Sequence, residues 1–270
     1  MLLTEFPTTA RTKVLVFGAP KTGKTALVGK LASKFRLHWL DLESGVKTLL
    51  NPAILAPEFR KNVNVINIPD HRLYPIAIDT VRDVLRGGLK KICNAHGKVN
   101  CPICAKDTKA LWSEVNILGF TADDILVIDS MSQLANSAMN RGILKELQKP
   151  DGEEYKKSFT DYATQGSMME QVLSFIQVLN INVCVITHEM ESESLDGREK
   201  IVPTAGTRNF SLTCAKYFDS VVYCTITNKQ HRAHSNTTFS STVVTGSRLP
   251  VSLDDAKAGE LDISPLFLKP

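Results

Sequence analysis

Eight consecutive residues, Gly18-Ala19-Pro20-Lys21-Thr22-Gly23-Lys24-Thr25, fit the pattern G-x-x-x-x-G-K-[ST], a turn whose backbone amides cradle phosphate oxygens. The glycines let that backbone approach the ligand without a Cβ clash, and the start of the following helix adds its free N–H groups. In such a turn Lys24 sits against the β- and γ-phosphates of a nucleoside triphosphate, and the Thr25 hydroxyl ligates Mg²⁺. The expected nucleotide contacts are Gly18, Pro20, Lys21, Thr22, Gly23, Lys24, Thr25 and Ala26. The site also needs a carboxylate at the end of a buried strand to hold the metal. Ile125-Leu126-Val127-Ile128-Asp129-Ser130 supplies one, so Asp129 joins Thr25 as a candidate Mg²⁺ partner, whereas Asp123 and Asp124 precede the apolar run and fall at its other end.

Phosphoryl transfer to water depends on positioning, so a group must orient the water and take its proton. Glu43, just after a second strand-like run, is the candidate; its plainer role is to cap a helix over residues 44–50. His188 follows Val185-Ile186-Thr187 and is placed to touch the γ-phosphate and report it to the loop beyond. A separate cluster, Cys93-x-x-His96 with Cys101-Pro102-Ile103-Cys104, offers three thiolates and one imidazole. Four such ligands close a tetrahedral Zn²⁺ site with no open position, which makes it structural. Cys184, Cys214 and Cys224 lie in apolar or helical surroundings and are expected in the core.

Alternating elements must position these residues. Strand-like runs occur at 13–17, 37–42, 63–68, 125–128, 183–187 and 221–226, with another expected at 237–244 as an antiparallel edge. Helical spacing appears over 24–35, in Ile78, Val81, Val84, Leu85 and Leu89, and in Met168, Val172, Phe175, Ile176 and Leu179. This alternation predicts an α/β fold, a mostly parallel sheet between helices. Residues 90–112 interrupt it as a Cys-, Gly- and Lys-rich insert, the small zinc-binding module. Residues 189–207 read as a polar functional loop. The core is expected over 1–226, with C-terminal edge strands and tail over 227–270, where Leu266-Phe267-Leu268 could dock on the core or on a neighbour.

Composition sets the outer limits. With 270 residues, 43% of them hydrophobic, the chain can bury a sizeable core, which excludes disorder and a miniature disulfide scaffold. No apolar run approaches a membrane span, and the first residues lack the pattern of a secretory signal, so a cytoplasmic protein with reduced or metal-bound thiols is expected. The net charge is only +4, so any nucleic-acid contact depends on where charge is concentrated. Arg86, Lys90, Lys91, Lys98, Lys106 and Lys109 surround the insert, opposed by Asp107. Trp112 and His96 could stack on bases or anchor the insert to the core.

In order along the chain, the phosphate loop, Trp39-Leu40-Asp41-Leu42-Glu43-Ser44-Gly45, the Asp129 strand, Val185-Ile186-Thr187-His188-Glu189 and Ala215-Lys216-Tyr217-Phe218-Asp219-Ser220-Val221-Val222 resemble the RecA-like branch of P-loop ATPases. Within it the chain is similar to phage nucleotide-binding proteins related to Sak-type single-strand annealing ATPases. The resemblance covers about residues 11–226. It implies ATP bound between neighbouring subunits, a catalytic Glu43, a sensor at His188 where relatives carry Gln, and a DNA-facing loop over 189–207. It also implies a cation from a neighbour, for which Arg198, Lys200, Arg208, Lys216, Arg232 and Arg248 compete. Phe6-Pro7-Thr8-Thr9 differs from the Phe-x-x-Ala segment by which recombinase filaments polymerise. The expectation is a Mg²⁺-dependent ATPase acting as a ring or filament on single-stranded DNA, with a single-strand-binding protein as a possible partner, in host cytoplasm if phage-encoded. A nucleotide-gated DNA or protein adaptor with little turnover and a P-loop small-molecule kinase are the alternatives.

Overall fold

The computed structural model describes residues 11–193, 197–236, 240–249 and 262–267. In chain order its main elements are β1 (Lys13–Gly18), α1 (Lys24–Gly29), β2 (Arg36–Asp41), β3 (Val63–Asn67), α2 (Ala77–Leu85), β4 (Lys90–Cys93), β5 (Trp112–Val115), β6 (Asp124–Asp129), α3 (Met131–Gly142), α4 (Leu144–Leu147), α5 (Phe159–Val178), β7 (Asn182–Glu193), β8 (Glu199–Pro203), α6 (Arg208–Thr213), β9 (Ser220–Thr227), β10 (Gln230–His234) and β11 (Gly246–Ser247). The main sheet runs β10-β9-β1-β7-β6-β2-β3, and its six strands from β9 to β3 are mutually parallel. β4 and β5 form a separate antiparallel pair. The mostly parallel α/β architecture read from the alternation is the one observed.

Both faces of the sheet are covered, so its strands are apolar without interruption. Side chains of successive residues still point to opposite faces, and this divides the interior in two. Leu15 and Phe17 pack with Leu40, Ile66, Leu126, Ile128 and Val185 against α2, α3 and α5. Val14 and Val16 pack with Trp39, Ile125, Val127 and Ile186 against α1, where Ile263, Leu266 and Phe267 also dock. The tail therefore closes onto its own core, helped by the Lys34–Asp262 ion pair at 2.8 Å. Asp254, Asp255, Glu260 and Leu268, like Phe6-Pro7-Thr8-Thr9, lie outside the described residues.

Several elements differ from the reading of the sequence. The first helix is α-helical only to Gly29 and tightens to a 3₁₀ turn over Lys30–Ser33. The stretch expected as a loop over 189–207 is largely a hairpin. β7 continues past the core to Glu193 and pairs antiparallel with β8, in the register Glu189↔Pro203 through Glu193↔Glu199. Pairing satisfies its backbone groups, so its polar side chains do not prevent strand formation. The edge strand expected at 237–244 is displaced to β10. Residues 237–239 are outside the described set, and Val243 makes an isolated bridge to Ile201, with the Ile201 N–H donating to the Thr242 carbonyl at 2.7 Å. α3 has no counterpart in the sequence reading, although Met131, Leu134, Ala135, Ala138 and Met139 have helical spacing and line one buried face. Its N-cap is Ser130, whose hydroxyl accepts from the Gln133 N–H at 3.2 Å.

Candidate nucleotide and metal sites

β1 delivers the phosphate loop to the C-terminal edge of the parallel strands, where open α/β sheets bind ligands. Gly18 is required there: a Cβ would lie 2.1 Å from the Cys224 carbonyl oxygen of β9. Lys21 and Gly23 adopt positive φ (68° and 89°), which curls the turn into α1. The first amides of α1, those of Lys24, Thr25 and Ala26, have no intrahelical acceptor and are available to a ligand. Pro20 and Lys21 are exposed on the crest of the loop, while Thr22 is buried and its hydroxyl donates to the Ala19 carbonyl at 2.8 Å. Lys24 is buried, and its ammonium folds back onto the carbonyls of Gly18 (2.9 Å) and Ala19 (2.7 Å). Burial lowers its pKa, against the opposing pull of Asp129, Glu43 and Glu189.

Acidic groups gather beside it. Asp129 ends β6 and lies in register with Asp41 at the end of β2. The Thr25 hydroxyl donates to Asp129 Oδ2 at 3.2 Å, and the Gly45 amide donates to Asp41 Oδ1 at 3.0 Å. Burial, with repulsion from Asp41 and Glu43, pushes the Asp129 carboxyl up to about 7. Asp41 is raised as well, by burial. Glu43 behaves oppositely. Burial works to raise it, but hydrogen bonds from His188 and Ser130 outweigh burial and hold it below the ordinary carboxylate range. Ser130 Oγ donates to Glu43 Oε1, and His188 Nε2 lies 3.3 Å from Glu43 Oε2. Asp124, at the far end of β6, instead binds Arg36 through two contacts of 2.8 Å and is held well below the usual range.

A cavity of about 440 Å³ brings Lys24, Thr25, Glu43, Asp129 and His188 together, along with Lys21, Gly23 and Ala26. A half-buried hydroxyl opposite a buried acid, with two more carboxylates close by, is an oxygen donor set suited to Mg²⁺. Two contributors are not singled out by the sequence. Asp41 lies two residues before Glu43, and its place at a strand end beside Asp129 is the available signal. His231 lines the cavity from β10, with Nδ1 3.0 Å from the Thr22 carbonyl. It lies in a polar segment with no motif. Among the described residues, none of the six candidate cations Arg198, Lys200, Arg208, Lys216, Arg232 and Arg248 lines this cavity.

The cysteine cluster forms at the end of β4 and in the turns before β5. The ligand atoms of Cys93, His96, Cys101 and Cys104 all lie within 4.8 Å of one another. His96 Nδ1 stands 3.2 Å from Cys104 Sγ, 3.6 Å from Cys101 Sγ and 3.8 Å from Cys93 Sγ. Zinc at about 2.3 Å from sulfur and about 2.0 Å from nitrogen places tetrahedral ligands roughly 3.5 Å apart, so the residues fit the ion. All three cysteines are buried and none is in a disulfide. Burial raises the Cys101 thiol, but backbone N–H groups of Cys104 and Ile103 bring it down to about 6. Gly97 has φ +61°, and a Cβ there would lie 2.9 Å from Ile68 Cα, so the module is pressed against the end of β3.

No protein-family model and no curated protein sequence matches the chain. Two solved structures similar to it are an ATPase from the type III secretion system of pathogenic bacteria and the ATPase domain of another protein. The first is 13% identical with a TM-score of 0.45, over 82% of this chain and 52% of that one. The second is 13% identical with a TM-score of 0.42, over 90% of this chain and 79% of that one. The chain thus spans about half the length of the secretion ATPase.

The raised Asp129 sets a sign for stability. A carboxyl whose folded pKa lies above its unfolded value favours the folded state when protonated, and that contribution is lost as pH rises from about 4 through 7. At about 1.4 kcal/mol per unit, Asp129→Asn in EDTA is expected to be more stable than the parent by a few kcal/mol at pH 8 and equal to it near pH 4. Urea unfolding at the two pH values measures this, and a pH-independent difference contradicts it. For the cysteine cluster, elemental analysis of the parent is expected to give about one zinc per chain, and Cys101→Ser with Cys104→Ser to give almost none. A zinc-free parent refutes the assignment.

Proposed function

We propose that this chain is a Mg²⁺-dependent ATPase of RecA-like fold that works as an oligomer, ring or filament, on single-stranded DNA in recombination or annealing. The observation that carries the reading is the convergence of Lys24, Thr25, Glu43, Asp129 and His188 in one cavity at the C-terminal edge of a parallel sheet. On ATP binding, Lys24 exchanges two carbonyl contacts for charge-assisted bonds to the β- and γ-phosphates. The Thr25 hydroxyl and the Asp129 carboxylate would hold Mg²⁺, which would supply charge neutralisation to the phosphates. Glu43, ionised because Ser130 and His188 hydrogen-bond to it, accepts the proton of the attacking water. The water oxygen bonds to the γ-phosphorus, the bond to the β–γ bridging oxygen breaks, and ADP and phosphate leave.

His188 gives this cycle an outlet. Its amide donates to Ser132 Oγ at 2.9 Å, Ser132 meets Thr187 Oγ1 at 2.8 Å, and that hydroxyl donates to the Thr204 carbonyl at 2.6 Å. The Thr204 N–H in turn donates to the His188 carbonyl at 2.8 Å. Contact between His188 and the γ-phosphate would therefore pull on the base of the β7–β8 hairpin. The transition-state cation is left to a neighbouring subunit.

Lys24→Ala is expected to abolish ATP turnover, and undiminished hydrolysis by the purified variant refutes the site. Glu43→Gln is expected to retain nucleotide binding while turnover falls by about 100-fold or more. Normal turnover in that variant moves the base elsewhere. Turnover assayed with and without single-stranded DNA separates this reading from a small-molecule kinase, whose rate DNA leaves unchanged.

A further inference from the structure

A second cleft, of about 480 Å³, opens on the opposite side of α2 from the core. α2 presents Ile78, Val81, Val84 and Leu85 inward and Asp79, Arg82, Asp83 and Arg86 outward. Across the opening lie Tyr74, Lys98 of the cysteine module and Arg141 at the end of α3. Four cations thus face two carboxylates, and both carboxylates are already engaged: Asp79 with Arg141 at 2.8 Å and Asp83 with Arg86 at 2.9 Å. Arg82 makes one bond, to Gln171 at 3.0 Å, while its Nε is buried with no partner. The Lys98 ammonium has no side-chain partner among the described residues. Tyr74 is 42% exposed, and its ring is held edge-on to His96 at 6.5 Å, so the metal-binding module orients it.

We propose that this cleft is the single-stranded DNA binding surface, with Arg82 and Lys98 on the phosphate backbone and Tyr74 stacking on a base. The proposal rests on the single-stranded DNA part of the function above and relocates the contact from the stretch that the family resemblance implies. That stretch is unsuited to phosphates. The β7–β8 hairpin carries Glu189, Glu191, Glu193 and Glu199 against Arg198 and Lys200, so it repels a polyanion. An exposed aromatic beside cations with bonding capacity to spare is the combination that binds single strands without sequence preference.

The cleft also has a rigid link to the chemistry. α3 starts at Ser130, which hydrogen-bonds Glu43, and ends beside Arg141. Midway, Asp70 accepts from Gln133 Nε2 (3.1 Å), Ser137 Oγ (2.8 Å) and the Ala77 amide that opens α2 (2.8 Å). A strand bound against α2 and α3 therefore bears on the helix whose first turn positions the general base.

The test is fluorescence anisotropy of a labelled oligothymidylate with the full, metal-loaded chain and a nonhydrolysable ATP analogue across a salt series. Arg82→Gln with Lys98→Gln is expected to weaken binding by about tenfold or more and to reduce the slope of log affinity against log salt by about 1.4. Tyr74→Ser, at a partly exposed position, is expected to weaken binding by about tenfold with the slope unchanged. Lys200→Gln in the hairpin leaves affinity within about twofold. ATP turnover without DNA stays at the parent level in both cleft variants, which separates a binding defect from misfolding. Parent-like affinity in both cleft variants, while the parent binds, overturns this location and leaves the function standing. If the parent binds no oligothymidylate, this proposal and the DNA part of the function fall together, and the Lys24→Ala assay still judges the ATPase.

Discussion

Three carboxylates share the end of one sheet, and the site is organised around the cost of burying them together. β2 and β6 are neighbours in register, so Asp41 and Asp129 stand side by side, and Glu43 turns back towards them two residues later. Burial removes the water that would screen them. The surrounding groups act as compensation: the Thr25 hydroxyl on Asp129, the Gly45 amide on Asp41, Ser130 and His188 on Glu43, and the Lys24 ammonium within reach. The result is a difference in protonation between two nearby acids. Asp129 is raised to about 7, whereas Glu43 is kept ionised. β7 lies between β1 and β6, which separates Gly18 from Asp129 by two strand spacings, about 10 Å. A phosphate chain with its counter-ion fits that span.

The parts of this arrangement that are legible in the sequence are those written in contiguous residues. The phosphate loop and the Cys93, His96, Cys101 and Cys104 side chains of the insert are local patterns, and each folds into a local cluster. Asp129 can be placed because an apolar run announces a buried strand and its last residue must emerge at the edge. The meeting of Glu43, Ser130 and His188 depends on strand order, which no local pattern encodes. His231 is invisible for a related reason: β10 is an edge strand in which Ala233 and His234 are buried, so it leaves no run of hydrophobic residues to read. The β7–β8 hairpin reads as a loop because its side chains are mostly polar. Strand formation there is governed by backbone pairing instead.

Two hydrogen-bonded routes lead away from the cavity around Lys24, and they leave from opposite ends of the same group. His188 leads through Thr187 and Ser132 to the hairpin, while Ser130 leads along α3 to Asp70 and the start of α2. Both begin at Glu43. A change in what Glu43 contacts is therefore felt at both, and the buried hydroxyls of Ser132 and Thr187 keep the two routes in contact.

The cysteine module also stands guard over β3, the last strand on its side of the sheet. Ser113 of β5 donates to the Val65 carbonyl, Asn64 donates to the Glu114 carbonyl, and Asn67 reaches the Asn94 carbonyl, so side chains take the place of a further strand. Apart from Ile92 and Val99, which join the main core, the apolar packing of the module is confined to its cysteines, Ala110 and Trp112. Without an ion to hold it, Val65 and its neighbours would become an open template for a strand from another molecule, the usual starting point of aggregation. An ion held there, far from the phosphate loop, would thus protect the main sheet from self-association.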